Sequence, residues 1–185
     1  RGHHVQGIDV KPEVVETINR GDIHIVEPEL DVLVRSAVNS GNLRAALNPD
    51  SADVYIIAVP TPFKEGHQPD LRFVEAATRH IAPVVRAGDL VVLESTSPVG
   101  TTERVAEILA EERPDLMEGD QRRVFVAHCP ERVLPGRILL ELVQNDRVVG
   151  GIDRASAERA RDFYRTFVRG EVILTDSRTA EMTKL

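Results

Sequence analysis

The feature that most constrains this chain is an alternation. Short runs rich in β-branched apolar residues, "HHVQGID", "DVYIIAV", "LVVLES", "RVFVAH", "RVVGG" and "EVILT", are separated by longer amphipathic stretches. A strand needs apolar side chains over only about four to eight residues, whereas a surface helix needs an apolar stripe recurring every three or four. Alternating the two is the pattern of a parallel sheet covered by helices. Several of the short runs are apolar nearly throughout, as strands covered on both faces must be. The stretches "KPEVVETINRG", "EPELDVLVRSAVNSG", "DLRFVEAATRHIAPVVRAG", "TTERVAEILAEERP" and "DRASAERARDFYRTFVRG" each end at glycine or proline, which stop helices. "PDLMEGDQRR" reads as a loosely structured polar connection, and "SRTAEMTKL" as the start of a further helix capped by Ser177.

Composition narrows what such a sheet could do. A chain of 185 residues that is 42% hydrophobic can bury a substantial core, as one domain or one with an appendage. With a net charge of -7 and its cations scattered among carboxylates, it offers no basic stripe to nucleic acid. No apolar run approaches the length of a membrane span, and the opening "RGHHVQGIDV" has no signal-peptide pattern. Cys129 is the only cysteine and cannot form an internal disulfide, so the expected compartment is the reducing cytoplasm. His3, His4, His24, His67, His80 and His128 show no metal-ligand spacing, and no metal is expected.

The expected fold is α/β, a Rossmann-like, doubly wound and mainly parallel sheet. Such folds open with a strand and a glycine-rich turn that lets a dinucleotide pyrophosphate approach a helix N-terminus. No G-x-G occurs in this sequence, and the opening run ends in "GID", an acidic strand end typical of the second strand. The expectation is therefore a chain lacking the first strand and its turn, drawn from a longer protein. A sheet without that central strand would leave two neighbouring strand edges open.

Four places carry candidate chemistry. Asp9, at a strand end, can accept from both ribose hydroxyls of an adenosine and would repel a 2′-phosphate, which favours NAD over NADP; an ordinary turn aspartate is the alternative. "AVPTPF" places Thr61 between two prolines after an apolar strand, as a ligand contact or as part of a rigid turn. "ESTSPVGTTER" brings Ser95, Thr96 and Ser97 to a helix start, where hydroxyls, backbone N–H groups and the helix dipole suit an anionic or polyhydroxylated ligand; helix capping is the alternative. "CPERVLPGR" follows the next strand with Glu131, Arg132 and Arg137. Glu131 could move a proton, and either arginine could meet a phosphate or pair with Glu141. Cys129 has no evident partner to lower its pKa and reads as a small buried apolar residue.

These motifs, together with "GIDV", "NDRVVGG" and "SRTAEMTKL", resemble in order and spacing the nucleotide-sugar dehydrogenases that include UDP-glucose and GDP-mannose dehydrogenases. "CPERVLPG" and "NDRVVGG" resemble the subgroup acting on UDP-N-acetyl-D-mannosamine, and Pro135 stands where UDP-glucose enzymes carry a second glutamate. The resemblance implies oxidation of the sugar C6 alcohol to a carboxylate through an enzyme-bound thiohemiacetal and thioester, with two NAD as cofactor. It implies that Asp9, Thr61 and Thr96 bind NAD, that Glu131 and Thr96 stand at the reaction centre, and that Arg132 and Val133 contact substrate. Lys184 would serve both catalysis and substrate binding, as a buried ammonium beside a developing oxyanion. Residues 1–175 would be the NAD-binding domain, incomplete at its N-terminus. Residues 176–185 would begin a helix connecting to a later domain that holds the nucleophilic cysteine and supports a homodimer. These residues alone are then expected to oxidise no sugar, and the whole protein to supply cell-surface polysaccharide synthesis.

Overall fold

The structure is a computed structural model that describes residues 2–23, 25, 27–64, 66, 68–117 and 124–185. It divides into two compact units, residues 1–50 with 133–144 and residues 51–132 with 145–185.

In the first unit, β1 (Val5–Ile8) pairs in parallel with β2 (Leu43–Ala46), joined by α1 (Pro12–Asn19) and α2 (Leu30–Asn39). Pro12 suits the first turn of α1 because its missing N–H would have had no partner there. Asn19 ties α1 to β2, its amide donating to the Ala45 carbonyl at 2.9 Å and accepting from the Ala45 N–H at 2.8 Å. α6 (Ile138–Gln144) completes this unit. Neither α1 nor α2 buries a residue fully.

The second unit holds a five-stranded sheet in the order β3 (Val54–Ile57), β4 (Leu90–Leu93), β5 (Phe125–His128), β6 (Arg147–Gly151), β7 (Val172–Asp176). β3, β4 and β5 run parallel, β6 is antiparallel to β5, and β7 is parallel to β6. Alternate side chains of β4 enter opposite cores. Val91 and Leu93 join Tyr55, Ile57, Val74, Val105 and Leu109 beneath α3 (Arg72–Ile81) and α4 (Thr101–Glu112). Leu90 and Val92 join Ala127, Cys129, Val149, Ala160 and Tyr164 beneath α7 (Arg154–Tyr164). This is why "LVVL" is apolar at every position. Gly150 and Gly151 answer to close packing: a Cβ on Gly150 would lie 2.2 Å from the Asp176 carbonyl oxygen, and one on Gly151 2.3 Å from that of Asp153.

The expected α/β order is present, with four corrections. β2 arises from "LRAA", too short and too poor in β-branched residues to be marked by pattern. α6 is likewise unmarked, seven residues between a proline-rich loop and β6. Residues Pro114–Met117 of the expected loose connection form a helical turn, α5, while residues 118–123 lie outside the described residues, as do His24 and His67. Ser177 does not cap α8 (Ser177–Met182); it is the first helical residue and buried, and the Asp176 carboxylate accepts from the Thr179 N–H instead. The strands form two sheets, and among the described residues β1 pairs only with β2 and β3 only with β4. No described helix is long and apolar enough to cross a membrane.

Candidate functional site

Because β3, β4 and β5 are parallel neighbours, the three proline-marked loops leave one edge of the sheet together, at the strands' carboxyl ends. This is where open α/β sheets receive ligands. A cavity of about 240 Å³ lies there, lined by Ala58 and Val59 after β3, Glu94, Ser95 and Thr96 after β4, Glu131 after β5, and Lys184 just past α8. Of the residues expected at the reaction centre, Thr96, Glu131 and Lys184 therefore meet in one cavity. Thr61 reaches the same loops, its hydroxyl donating to the Thr96 carbonyl at 2.6 Å.

The remaining expected residues lie elsewhere. Asp9 follows β1 in the first unit and accepts the Lys11 N–H at 2.9 Å. Val133 is half-buried in the first unit, and Arg132 is exposed in the second. Arg137 takes the structural alternative, its Nε 3.7 Å from Glu141. Lys184 is exposed and lies past the last turn of α8 at the cavity rim.

The anion site expected at the start of α4 is already filled. Glu181, on α8 and 1% exposed, accepts from the Gly100 N–H at 2.7 Å, the Thr102 N–H at 2.7 Å and the Thr102 hydroxyl at 2.6 Å. Those are the donors a phosphate would have used. The same contact fixes α8 to α4, supported by Arg178 on Glu103 at 2.7 Å, and so holds Lys184 one turn onward.

Two buried groups support the cavity from behind. Arg147 places Nη1 3.1 Å from Glu131, and its guanidinium lies 5.6 Å from the centroid of the Tyr164 ring. Tyr164 donates its hydroxyl to Glu94 at 2.5 Å. Burial pushes the Glu94 carboxyl above its usual range, partly offset by the Tyr164 hydrogen bond. Burial also pushes the Cys129 thiol up to about 12, which leaves it inert as a nucleophile. His128 is lowered to about 4 by burial, and among the described residues its Nδ1 finds no hydrogen-bond partner. Glu94, Glu181, Arg147 and Tyr164 escaped the sequence reading. A carboxylate ending an apolar strand could have flagged Glu94, while a tyrosine within an amphipathic helix carries no signal.

Residues 1–168 match the model of the UDP-glucose/GDP-mannose dehydrogenase family, NAD binding domain. The chain is 56% identical over its whole length to an NDP-N-acetyl-D-galactosaminuronic acid dehydrogenase of Ralstonia nicotianae, and 54% identical to the UDP-N-acetyl-D-mannosamine dehydrogenase of Escherichia coli. It covers 45% of each of those relatives, so it spans somewhat less than half their length. The solved UDP-D-ManNAc dehydrogenase of Pyrococcus horikoshii superposes with a TM-score of 0.93 at 41% identity, over 99% of this chain and 44% of that one.

Proposed function

Since the chain belongs to the UDP-glucose/GDP-mannose dehydrogenase family and carries its NAD-binding domain, we propose that it works within a longer enzyme that oxidises UDP-N-acetyl-D-mannosamine at C6 to the uronate. The observation that carries this reading is the cavity itself, in which Thr96, Glu131 and Lys184 converge at the carboxyl ends of parallel strands. Residues 1–175 serve as the NAD-binding domain, and residues 176–185 begin the helix that leads to a substrate domain and to a homodimer. The enzyme works in the cytoplasm and its product feeds cell-surface polysaccharide.

The residues fit the cofactor. The edge that opens onto the cavity is the ligand edge of a dinucleotide-binding sheet, and Asp9 holds a carboxylate at the end of β1 for ribose hydroxyls. Bound NAD supplies the hydride acceptor. The chain's own groups would do the rest: Thr61 fixes the Thr96 loop, the Thr96 hydroxyl would serve the bound cofactor and the reacting carbon, and Arg132 and Val133 would contact the nucleotide sugar. The Lys184 ammonium stabilises negative charge as it grows on the substrate oxygen. Glu131, held by Arg147 and by the Arg132 N–H at 2.7 Å, presents an oriented carboxylate toward the cavity.

The 56% identity to an NDP-N-acetyl-D-galactosaminuronic acid dehydrogenase favours a second reading, an N-acetylgalactosamine nucleotide as substrate. Both are tested by following NADH formation by the full-length protein with UDP-N-acetylmannosamine, UDP-N-acetylgalactosamine, UDP-N-acetylglucosamine, UDP-glucose and GDP-mannose. Turnover confined to UDP-glucose or GDP-mannose sinks the first choice. NADH production by these 185 residues alone contradicts the division of labour between domains.

A further inference from the structure

Two carboxylates line the cavity, and their surroundings differ. Glu131 accepts on both of its oxygens, from the Arg147 guanidinium on Oε2 and from the Arg132 N–H on Oε1. Glu94 receives a neutral donor, the Tyr164 hydroxyl on Oε1, and is otherwise largely desolvated at the end of β4. Behind the cavity wall the two are joined. Arg147 holds Glu131 and lies over the Tyr164 ring, whose hydroxyl holds Glu94. Both ends of this buried relay therefore face the same space. The charged groups acting on Glu94 are Glu131, which disfavours its ionisation, and Arg147 and Lys184, which favour it.

We propose that Glu94 is a further catalytic residue, the carboxyl that exchanges protons with the reacting molecule in this cavity, and that Tyr164 is its positioning residue. This rests on the dehydrogenase reading above. Oxidising a primary alcohol to a carboxylate with two NAD consumes one water, removes two hydrides and releases three protons, and the cavity must carry those protons away. Both oxygens of Glu131 already accept hydrogen bonds from the protein, from Arg147 and from the Arg132 N–H. Glu94 has an environment in which both protonation states are accessible, as when neighbouring carboxyls divide acid and base roles. In its step, an oxygen of the Glu94 carboxylate takes the proton of the substrate hydroxyl or of the attacking water as that O–H bond breaks. The resulting carboxylic acid then returns the proton to solvent at the cavity rim.

The test uses the full-length protein. Glu94→Gln is expected to lower kcat about a hundredfold while leaving NAD affinity, read by fluorescence titration, unchanged. It should also abolish the acid limb of the kcat–pH profile. Tyr164→Phe removes a donor that favours the ionised carboxyl, so the acid limb should move to higher pH. Carbon-13 NMR of labelled glutamate carboxyls, with Glu94 assigned by its loss in Glu94→Gln, should show titration above the ordinary glutamate range and a further rise in Tyr164→Phe. A Glu94→Gln enzyme with wild-type kcat and pH profile overturns the inference, and so does a Glu94 resonance titrating at the ordinary value. A wild-type protein that oxidises no nucleotide sugar overturns the dehydrogenase reading itself, even where the Glu94 resonance titrates high.

Discussion

The two compact units of this chain solve the same problem with different means. In the second, β4 feeds both faces of its sheet, and Leu90, Val91, Val92 and Leu93 are all fully buried. In the first, β1 and its two helices bury little, and Val5, Val10, Val32 and Leu33 remain exposed. What orders the first unit is polar: the Asn19 clamp on β2, Gln6 on the Asp50 N–H at 2.9 Å, and Glu27 on the N–H groups of Gly136 and Ile138, each at 2.8 Å. The lesson is that unit two draws its stability from apolar burial, while unit one takes its shape from specific hydrogen bonds whose net worth in water is small.

The largest test of this contrast is truncation of apolar side chains. Leu93→Ala should destabilise the chain by about 2–5 kcal/mol, whereas Leu33→Ala, at a half-exposed site, should stay within about 0.5 kcal/mol. Urea unfolding followed by circular dichroism measures both, and equal losses would erase the distinction. A second test is pH, and it belongs to unit two. His128 is held neutral with its pKa lowered to about 4, below the value of about 6.5 it has when unfolded. Between those values the unfolded chain binds the extra proton and the folded one does not, so stability should fall as pH drops through that window, by at most roughly 3 kcal/mol. His128→Gln should flatten that slope in unfolding curves taken across the range.

Third, the two buried carboxylates that gather backbone donors can be set against each other. Removing Glu181 by alanine takes the acceptor from three donors, two of them on buried Thr102, and Glu27→Ala takes it from two that are only partly buried, so each should cost about 1–3 kcal/mol, with Glu181 the larger. Hydrogen exchange should then quicken at Gly100 and Thr102 in one variant and at Gly136 and Ile138 in the other. A smaller loss is expected at Gly41, where φ is +74° and open space surrounds the Cβ position. Gly41→Ala should cost about 1 kcal/mol through backbone conformation alone, and a loss several times larger would reveal packing that the first unit does not display.

The same contrast governs what could be read beforehand. Unit two was legible because a strand buried on both faces writes an unbroken apolar run, and "LVVLES" and "RVFVAH" could hardly be anything else. Unit one hid β2, since "LRAA" pairs through its backbone while its side chains stay partly wet. At the site, the loops announced Thr61, Thr96 and Glu131 through prolines at strand ends, and Lys184 through motif. Glu181 was illegible because its partners lie 79 and 81 residues away, and no local pattern records a carboxylate bound to a distant helix start. For the same reason the relay from Glu131 through Arg147 and Tyr164 to Glu94 appears only once β4, β5, β6 and α7 are packed together.

The carboxylate lodged at the start of α4 has one more effect. A helix end of this kind would ordinarily act as a trap for whatever small oxyanion is abundant in solution. By supplying that anion from its own sequence, the molecule closes the trap permanently. Free phosphate or sulfate then finds the Gly100 and Thr102 donors beside the cavity already taken, and added phosphate should leave the Thr96 loop undisturbed.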